Sequence, residues 1–297
     1  MSIKNRIRKM LGFLPAKGQL MASSVISGVE LLLQFLRVAQ LKRQGMKEFI
    51  LPVEDVDTEK ECHILASGWS LNHSYQNINR EKSFIVGFNF SFLKCSDPDL
   101  HFIENSSTKS HGFFINTIQI YAGIIRFKVF SRSKVVFKNL SEFKNSQKNI
   151  VSLYSENAYF IRDRHFRIFG EKMILPTLAK MCDETNLLPQ SISSVVGLIL
   201  LAKSMGFKKI IIHGLDFYGP HFYGGDLQSV IFNDGLLPDP LCVSEIDLDF
   251  HKTAVGENGV GVIDLIKAVK DEFKKSGVGL YAATNKSPSA EILGVYD

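Results

Sequence analysis

The sequence predicts an α/β fold in which a mostly parallel, Rossmann-like sheet is flanked by helices and preceded by an N-terminal helical appendage. Two segments indicate this most directly. From Ser193 to Met205 apolar residues recur at helical spacing, Gly206 closes the helix, and Lys208 to His213 is a β-branched stretch typical of a buried strand. The same order recurs later, with a predicted helix from Val260 to Lys275 and a predicted strand from Val278 to Ala282. Helix, glycine and buried strand in succession are typical of a parallel sheet.

The first half of the chain contains shorter predicted strands. Cys62 to Ala66 is an apolar run that ends in a small-residue turn from Ser67 to Leu71, an arrangement typical of nucleotide-binding α/β folds. Ser83 to Phe88 is a second predicted strand. Three further apolar runs are spaced as the strands of α/β units would be: Leu100 to Ile103, Arg126 to Phe130 and Asn149 to Leu153.

The positive charge of the chain is concentrated at its N-terminus. The 297 residues carry a formal net charge of +5, yet Met1 to Gly45 contains eight basic residues against the single acidic residue Glu30. The remainder of the chain is therefore slightly acidic. We divide the sequence into a basic amphipathic helical appendage, residues 1–50, and a nucleotide-binding α/β domain, residues 51–297.

The appendage contains an apolar segment from Gln19 to Val38 that is interrupted by Glu30, Gln34 and Arg37. Its charge-free stretch is shorter than the ~20 residues that a membrane-spanning helix needs. We interpret residues 1–45 as one or two helices lying on an anionic membrane surface, with the protein peripheral on the cytoplasmic face. The alternative is a helix that packs on its own domain or in the interface of a homo-oligomer. No secretory signal is expected, because the apolar region starts late and contains an acidic residue.

Several function classes are disfavoured by what the sequence lacks. The four cysteines have no CxxC spacing, so we expect reduced thiols rather than a zinc site, an iron–sulfur cluster or a disulfide framework. No Gly-x-Ser-x-Gly or HExxH motif is present. Outside the appendage the basic residues form no aromatic-interleaved stripe, which argues against nucleic acid as a partner. Asp97-Pro98-Asp99 and Asp247-Leu248-Asp249 match the short DxD pattern of metal-dependent transferases, but this pattern is common by chance, and we expect no metal site.

Ligands of open α/β sheets bind beyond the carboxyl ends of the strands, so the residues that follow each apolar run are candidates for the site. Ser67 and Gly68 would let backbone N–H groups approach a phosphate or ribose, or would only form a tight turn. Asn89 follows the second predicted strand and could read a base or a sugar through its amide, or could cap the next turn.

The densest group of candidates follows the predicted strand that ends at His213. Tyr218 and Tyr223 lie on that loop, and two phenols can hydrogen-bond a leaving phosphate without adding formal charge. Asp216 could bind a metal, although a carboxylate at a strand end more often accepts loop N–H groups, and His213 is expected to be a buried strand histidine. His251 precedes the last long helix, and a loop imidazole is a natural general base.

Taken in order, these segments resemble the bacterial sialyltransferases of glycosyltransferase family 42 and, more loosely, the Kdo transferases of lipopolysaccharide core synthesis. The resemblance covers roughly Cys62 to Tyr296. The matching segments are Ala66-Ser67-Gly68-Trp69-Ser70-Leu71, Phe88-Asn89-Phe90-Ser91-Phe92, Ile192-Ser193-Ser194 and His213-Gly214-Leu215-Asp216-Phe217-Tyr218, with His251 at the place of the family's catalytic histidine.

The resemblance implies a GT-A-variant fold and an inverting, metal-independent glycosyltransferase that uses no cofactor. Such an enzyme moves a sialic acid, Kdo or related ulosonic acid from a CMP-linked donor to a hydroxyl of a bacterial surface glycan or glycolipid. By carry-over, the nucleotide-binding residues would be Ser67, Gly68, Asn89, Ser193, Ser194, Gly214 and Asp216. The catalytic residues would be His251 as the base and Tyr218 and Tyr223 as phosphate-binding phenols.

The chain departs from the family pattern at Ser67, Trp69 and Ser191, where Asn, Pro and Arg are usual. Two other functions therefore remain open. One is a Mg²⁺-dependent Rossmann-like nucleotide enzyme such as a pyrophosphokinase, and the other is a non-catalytic scaffold at the membrane surface.

Overall fold

The computed structural model describes residues 10–43, 45–50, 56–105, 111–140, 156–224, 230–231, 250–256 and 259–296, with side chains described only from residue 119 in the helix that begins at His111. Four features of the sequence lie outside the described residues: the basic run Lys4 to Lys9, the apolar run Asn149 to Leu153, Cys242 and the pattern Asp247-Leu248-Asp249.

The strands are parallel throughout. Those in the described ranges are β1 Lys47–Glu48, β2 Glu61–Leu65, β3 Ser83–Phe88, β4 Leu100–Glu104, β5 Lys134–Lys138, β6 Ala158–Phe160, β7 Asp163–His165, β8 Leu188–Gln190, β9 Lys209–His213 and β10 Gly279–Ala282. Eight of them form one sheet in the order β1-β6-β5-β4-β3-β2-β9-β10. The other two, β7 and β8, pair in a small separate sheet. The predicted parallel α/β fold is confirmed.

Helices cover both faces of the main sheet. The helices in the described ranges are α1 Ala16–Arg43, α2 Leu71–Ser74, α3 His111–Arg126, α4 Ile174–Cys182, α5 Ser194–Ser204, α6 Lys252–Val255, α7 Val262–Lys275 and α8 Ala290–Leu293. Ile64 and Ile212 belong to one buried cluster, together with residues of α5 and α7. Leu65, which follows Ile64 on β2, and Ile103 of β4 belong to a second cluster, together with residues of α3. A sheet buried on both faces explains why its strands are almost continuously apolar.

The predicted bounds hold best where the apolar run is long. β3 has the predicted bounds, and β9, β10, α5 and α7 begin and end within two residues of theirs. The predicted strand from Arg126 to Phe130 is wrong. Arg126 is the last residue of α3, Lys128 has φ +55°, and a short 3-10 turn follows, so the chain reverses before β5 begins at Lys134.

The N-terminal segment consists of α1 followed by β1. α1 has 28 residues and, by length and composition alone, could cross a membrane. In the structure it packs on the domain, against β7 and the residues around Gly170 to Met173. β1 pairs with β6 through Lys47 and Glu48, so the last residues of the 1–50 segment belong to the main sheet.

Candidate active site

The carboxyl ends of β2 and β9 form the centre of the candidate site. The chain extends the sheet from β2 through β3, β4 and β5, and later returns to place β9 on the opposite side of β2. The point where the strand order reverses in this way is where open α/β sheets bind ligands. The residues that follow β2, β3 and β9 therefore all lie at the carboxyl ends of these parallel strands.

The turn after β2 and the loop after β9 are bonded to each other. The N–H of Gly68 donates to the carbonyl oxygen of Gly214 at 2.9 Å. A Cβ atom on Gly68 would lie 2.4 Å from Oδ2 of Asp216, and Gly214 has φ +67°, a conformation that favours glycine. Both positions thus need a residue without a side chain because the two loops approach so closely.

The buried carboxylate of Asp216 has protein partners on both oxygens. Oδ2 accepts a hydrogen bond from the backbone N–H of Ser70 at 2.7 Å. Oδ1 accepts from the hydroxyl of Ser70 at 2.7 Å and from that of Ser287 at 2.8 Å. Burial raises the pKa of Asp216 above its ordinary value, although these hydrogen bonds favour the ionised form. Of the two roles open to Asp216, this geometry favours holding the loops together over binding a metal.

The loop after Asp216 holds His251 by its backbone and by its ring. The backbone N–H of His251 donates to the carbonyl oxygen of Phe217 at 2.9 Å. Tyr218 and Phe250 form an antiparallel bridge, and their rings meet edge to face with centroids 5.7 Å apart. The residues from Leu215 to Tyr223, here called the tyrosine loop, therefore contact the segment that contains His251. The sequence analysis treated these two segments as separate candidates.

The imidazole of His251 has a defined tautomer in this arrangement. Its Nε2 lies 2.8 Å from the carbonyl oxygen of Gly219. A carbonyl oxygen can only accept, so Nε2 carries the hydrogen of the neutral ring. The lone pair is then on Nδ1, and that atom can take a proton from a substrate hydroxyl.

A second imidazole, that of His221, lies beside Tyr223 and His251. The His221 ring stacks on Tyr223 with centroids 4.9 Å apart, and its centroid is 6.3 Å from that of His251. Nδ1 of His221 donates to the carbonyl oxygen of Ser67 at 3.2 Å, which ties the turn after β2 to the tyrosine loop. Burial raises the pKa of the Tyr223 phenol, so this group keeps its proton and can donate it at neutral pH.

Asn89 stands at the carboxyl end of β3 with φ +47°. Its backbone carbonyl accepts a hydrogen bond from Nε2 of His101 at 2.9 Å, and its Oδ1 accepts from the N–H of Glu104 at 3.0 Å. Its side-chain NH₂ makes no hydrogen bond to any residue within the described ranges. The amide thus joins β3 to β4 and retains donors for a ligand.

A buried lysine lies next to the predicted donor-binding serines. Lys138, the last residue of β5, is 1% exposed. Its Nζ lies 2.5 Å from Oγ of Ser194 and 3.3 Å from a carboxylate oxygen of Glu104, and the Ser194 hydroxyl donates to Glu104 at 2.8 Å. Ser193, the N-cap residue of α5, accepts from the N–H of Val195 at 3.3 Å. Nζ of Lys138 also donates to Oε1 of Gln190 at 3.0 Å, so its three hydrogens are used within the protein and Glu104 balances its charge. Lys138 therefore holds Ser194 in place at the N-terminus of α5, the end of a helix that favours an anion.

A cleft of about 320 Å³ extends from the N-terminus of α5 to α6. Its walls include Ser191 and Ile192 on one side and Lys252 and Thr253, directly after His251, on the other. Backbone and side chains of residues 165–169 line the third side. The cleft therefore adjoins the predicted donor-binding serines and the predicted base through their sequence neighbours Ile192 and Lys252.

Other titratable groups serve the fold. Asp97 and Asp99 lie at the amino end of β4, opposite the candidate site, where Asp99 accepts from the N–H of Ile85 at 2.7 Å. No cluster of three or more possible metal ligands occurs within the described ranges. His213 is a buried strand histidine, as predicted, with Nε2 2.9 Å from Nδ1 of His63 and Nδ1 2.8 Å from the Ser74 hydroxyl.

His221 and Lys138 are the two site residues that the sequence analysis missed. Lys138 ends a short apolar run, Val135 to Phe137, that was not predicted as a strand. His221 lies between the two tyrosines that were singled out. Treating the residue after every short apolar run as a candidate would have included Lys138.

No protein-family model matches the chain, and no curated protein matches it. Among solved structures the chain is similar to the sialyltransferase CstII from Campylobacter jejuni in complex with CMP-3FNeuAc, with 14% identity over 80% of this chain and 87% of that one, at a TM-score of 0.45. It is also similar to CST-II in complex with a trisaccharide acceptor and CMP, with 15% identity over 80% and 86% of the two chains at a TM-score of 0.43. A third similar structure is apo alpha-2,3-sialyltransferase from Campylobacter jejuni, with 14% identity over 85% and 84% at a TM-score of 0.44. All three are sialyltransferases, the class whose motifs the sequence resembles.

Proposed function

We propose that this chain is an inverting glycosyltransferase that moves an ulosonic acid, such as a sialic acid or Kdo, from a CMP-linked donor to a hydroxyl of a bacterial surface glycan. The observation that carries the proposal is the arrangement at His251. In its neutral form the imidazole of His251 has its lone pair on Nδ1, and the ring is held by the same loop that carries Tyr218. It lies next to His221, which stacks on Tyr223, and it directly precedes Lys252 and Thr253 of the cleft wall.

The proposed reaction needs a proton acceptor for the attacking hydroxyl and hydrogen-bond donors for the departing phosphate. In a direct displacement the acceptor oxygen attacks the anomeric carbon while the bond from that carbon to the CMP phosphate breaks, and the electron pair of that bond leaves with the phosphate. Nδ1 of His251 takes the acceptor proton, and the phenols of Tyr218 and Tyr223 hydrogen-bond the departing phosphate. Because the attack comes from the face opposite the leaving group, the anomeric configuration inverts.

The anionic donor is proposed to lie between two parts of the edge of the sheet. The cytidine nucleotide would lie along the turn that contains Ser67 and Gly68 and next to the free amide donors of Asn89. The donor phosphate or carboxylate would lie near Ser193 and Ser194 at the N-terminus of α5, where Lys138 holds the Ser194 hydroxyl. Gly214 and Asp216 would shape this nucleotide site by fixing the turn after β2.

Metal independence is part of the proposal. The carboxylate and the quaternary anomeric carbon of an ulosonic acid already favour loss of the phosphate, so the hydrogen-bond donors of Tyr218 and Tyr223 would suffice. The competing pyrophosphokinase hypothesis requires Mg²⁺ and ATP.

Thermal denaturation with nucleotides tests the proposal. Excess CMP should raise the melting temperature of the full chain, whereas UMP, AMP and ATP with Mg²⁺ should raise it less. A shift with ATP and Mg²⁺ that EDTA removes would instead support a pyrophosphokinase-like enzyme. No shift with any of these nucleotides would support the non-catalytic scaffold.

A further inference from the structure

Helix α1 presents its polar side chains to the domain. The buried polar residues of the helix are Gln19, Ser23, Ser27 and Gln34. They recur every three to four residues together with the half-buried Glu30, so they form one face of the helix. A surface helix of a globular protein normally buries apolar residues on the side that faces the core. The orientation of α1 is the reverse of that arrangement along most of its length.

Specific hydrogen bonds hold the polar face of α1 in place. Nε2 of Gln34 donates to the carbonyl oxygen of Asp163 at 2.8 Å and to its Oδ1 at 2.7 Å, and Oε1 of Gln34 accepts from the N–H of Asp163 at 3.1 Å. The hydroxyl of Ser23 accepts from the N–H of Arg167 at 3.1 Å, and the Arg167 guanidinium pairs with Glu30. The helix is therefore docked by its polar face and not merely tethered.

The opposite face of α1 is apolar and open to solvent. Its exposed large side chains are Met21, Val25, Val29, Leu32, Leu33, Phe35 and Leu36, each between 56% and 71% exposed. At 3.6 residues per turn they cover an arc of about 160°. Met10 and Phe13, just before the helix, are also exposed. Monomeric soluble proteins rarely expose a continuous apolar surface of this kind.

We propose that this exposed face of α1 inserts into the surface of an anionic lipid bilayer, with the helix lying parallel to the membrane plane. Charge favours the bilayer over a second copy of the chain, because Lys17 and Arg43 are exposed on the helix and the sequence before it adds Lys4, Arg6, Arg8 and Lys9. Two such basic segments would repel each other, whereas each basic residue is attracted to an anionic leaflet. The apolar arc is also wider than the two-position seam of a helix dimer.

The docking contacts argue for a helix that lies on the bilayer and does not cross it. A spanning α1 would have to release the Gln34–Asp163 and Glu30–Arg167 contacts and carry its polar face into the lipid. With the contacts intact, the apolar face alone enters the membrane.

This orientation brings the cleft close to the membrane. Arg167, which contacts Ser23 and Glu30 of α1, also lines the cleft whose opposite wall contains Lys252, the residue after His251. If the proposed transferase function holds, the acceptor is a lipid-linked glycan that reaches the cleft from the bilayer surface.

Vesicle flotation of the full chain tests the membrane proposal independently of catalysis. The protein should float with phosphatidylcholine–phosphatidylglycerol vesicles, and with pure phosphatidylcholine vesicles much less. The triple variant V29S/L33S/L36S should bind anionic vesicles at least 10-fold more weakly. Leu175→Ser, which replaces a leucine that is 67% exposed on α4, is the matched control and should bind normally.

Three outcomes would overturn the proposal. The first is absence of binding to anionic vesicles at low salt. The second is a lipid-free dimer of the wild-type chain that the triple variant converts to a monomer, which would make a second copy the occupant of this face. The third is retention of the chain in membranes after alkaline carbonate extraction, which would indicate a spanning helix. Because flotation needs no donor sugar, a failure of the transferase function leaves this test interpretable.

Discussion

Nε2 of His251 lies 2.8 Å from the carbonyl oxygen of Gly219, within the loop that also carries Tyr218. This contact fixes the hydrogen of the neutral imidazole on Nε2 and leaves Nδ1 as the proton acceptor. A backbone carbonyl thus does here what a carboxylate does for the histidine of many hydrolases, which is to set the tautomer and orientation of the ring.

Replacing His251 by alanine should lower kcat by about 10² to 10⁴, the usual contribution of a general base. The measurement is steady-state release of CMP in the presence of acceptor, with the melting temperature as a check of folding. His221→Ala is the control, because this imidazole lies 6.3 Å from that of His251, centroid to centroid, but bonds to Ser67 and should matter less. Equal losses in the two variants would contradict the role given to His251.

Tyr218→Phe should lower kcat more than it raises KM for the donor, because a hydrogen bond to the leaving phosphate strengthens as charge develops. Tyr223→Phe should act in the same direction, since burial keeps its phenol protonated and able to donate. Steady-state kinetics with the donor varied would separate the two constants. A rise in KM with unchanged kcat would instead assign the tyrosines to ground-state binding.

Lys138→Met should weaken use of the anionic donor. The ammonium group of Lys138 donates to Ser194, and a hydrogen bond from a charged group contributes about 1.5–3 kcal/mol, so misplacing Ser194 should lower kcat/KM for the donor roughly 10- to 150-fold. The double variant K138M/E104Q controls for the unpaired carboxylate, since Glu104 is the acidic partner of Lys138. If the double variant regains normal activity, Lys138 acts only as a partner for Glu104 and does not position Ser194.

The buried histidines should make the protein sensitive to acid. Burial lowers the pKa of His63 and of His101 to about 4, against 6.5 for an exposed histidine. Between pH 6.5 and 4 the unfolded chain binds these protons and the native protein does not, so the free energy of unfolding falls as the pH falls. Each histidine contributes a slope of about 1.4 kcal/mol per pH unit.

Urea denaturation across this pH range would measure the slope. His101→Gln retains a donor for the Asn89 carbonyl and should reduce the proton uptake on unfolding by about one proton between pH 6.5 and 4. An unchanged pH dependence in this variant would show that His101 is already protonated in the native state.

The parts of the fold that the sequence predicted well are those with long apolar runs. Ser83 to Phe88 is almost continuously apolar, and the three isoleucines of Lys209 to His213 follow a clear helix and a glycine, so both strands are visible in the sequence. β5 has as many apolar residues as β9, but the sequence analysis placed a strand at Arg126 to Phe130 instead. The ammonium group of the buried Lys138 donates to Gln190 and Ser194, which lie more than 50 positions further along the chain. No local sequence pattern could indicate those partners.

The contacts of the N-terminal helix also could not be predicted from local sequence. The sequence indicated an apolar helix interrupted by Glu30 and Gln34, and did not indicate which face would meet the domain. The face of α1 that packs on the domain is the one that contacts Asp163 and Arg167, which lie more than 120 residues further along the chain. Most of the candidate site residues were singled out because they follow predicted strands, and His251 because it lies in a loop before the last long helix. The bond between His251 and Gly219 depends on two loops that only the folded chain brings together.

The most direct test of the proposed function is a panel assay of CMP release from CMP-sialic acid, CMP-Kdo and CMP-pseudaminic or CMP-legionaminic acid, each with a lipid-linked glycan acceptor and with EDTA present. The wild-type chain should release CMP from at least one donor in an acceptor-dependent way, and His251→Ala should release it at least 100-fold more slowly. Absence of CMP release from every donor, or release that His251→Ala leaves unchanged, would contradict the assignment of this site as a CMP-ulosonic acid transferase.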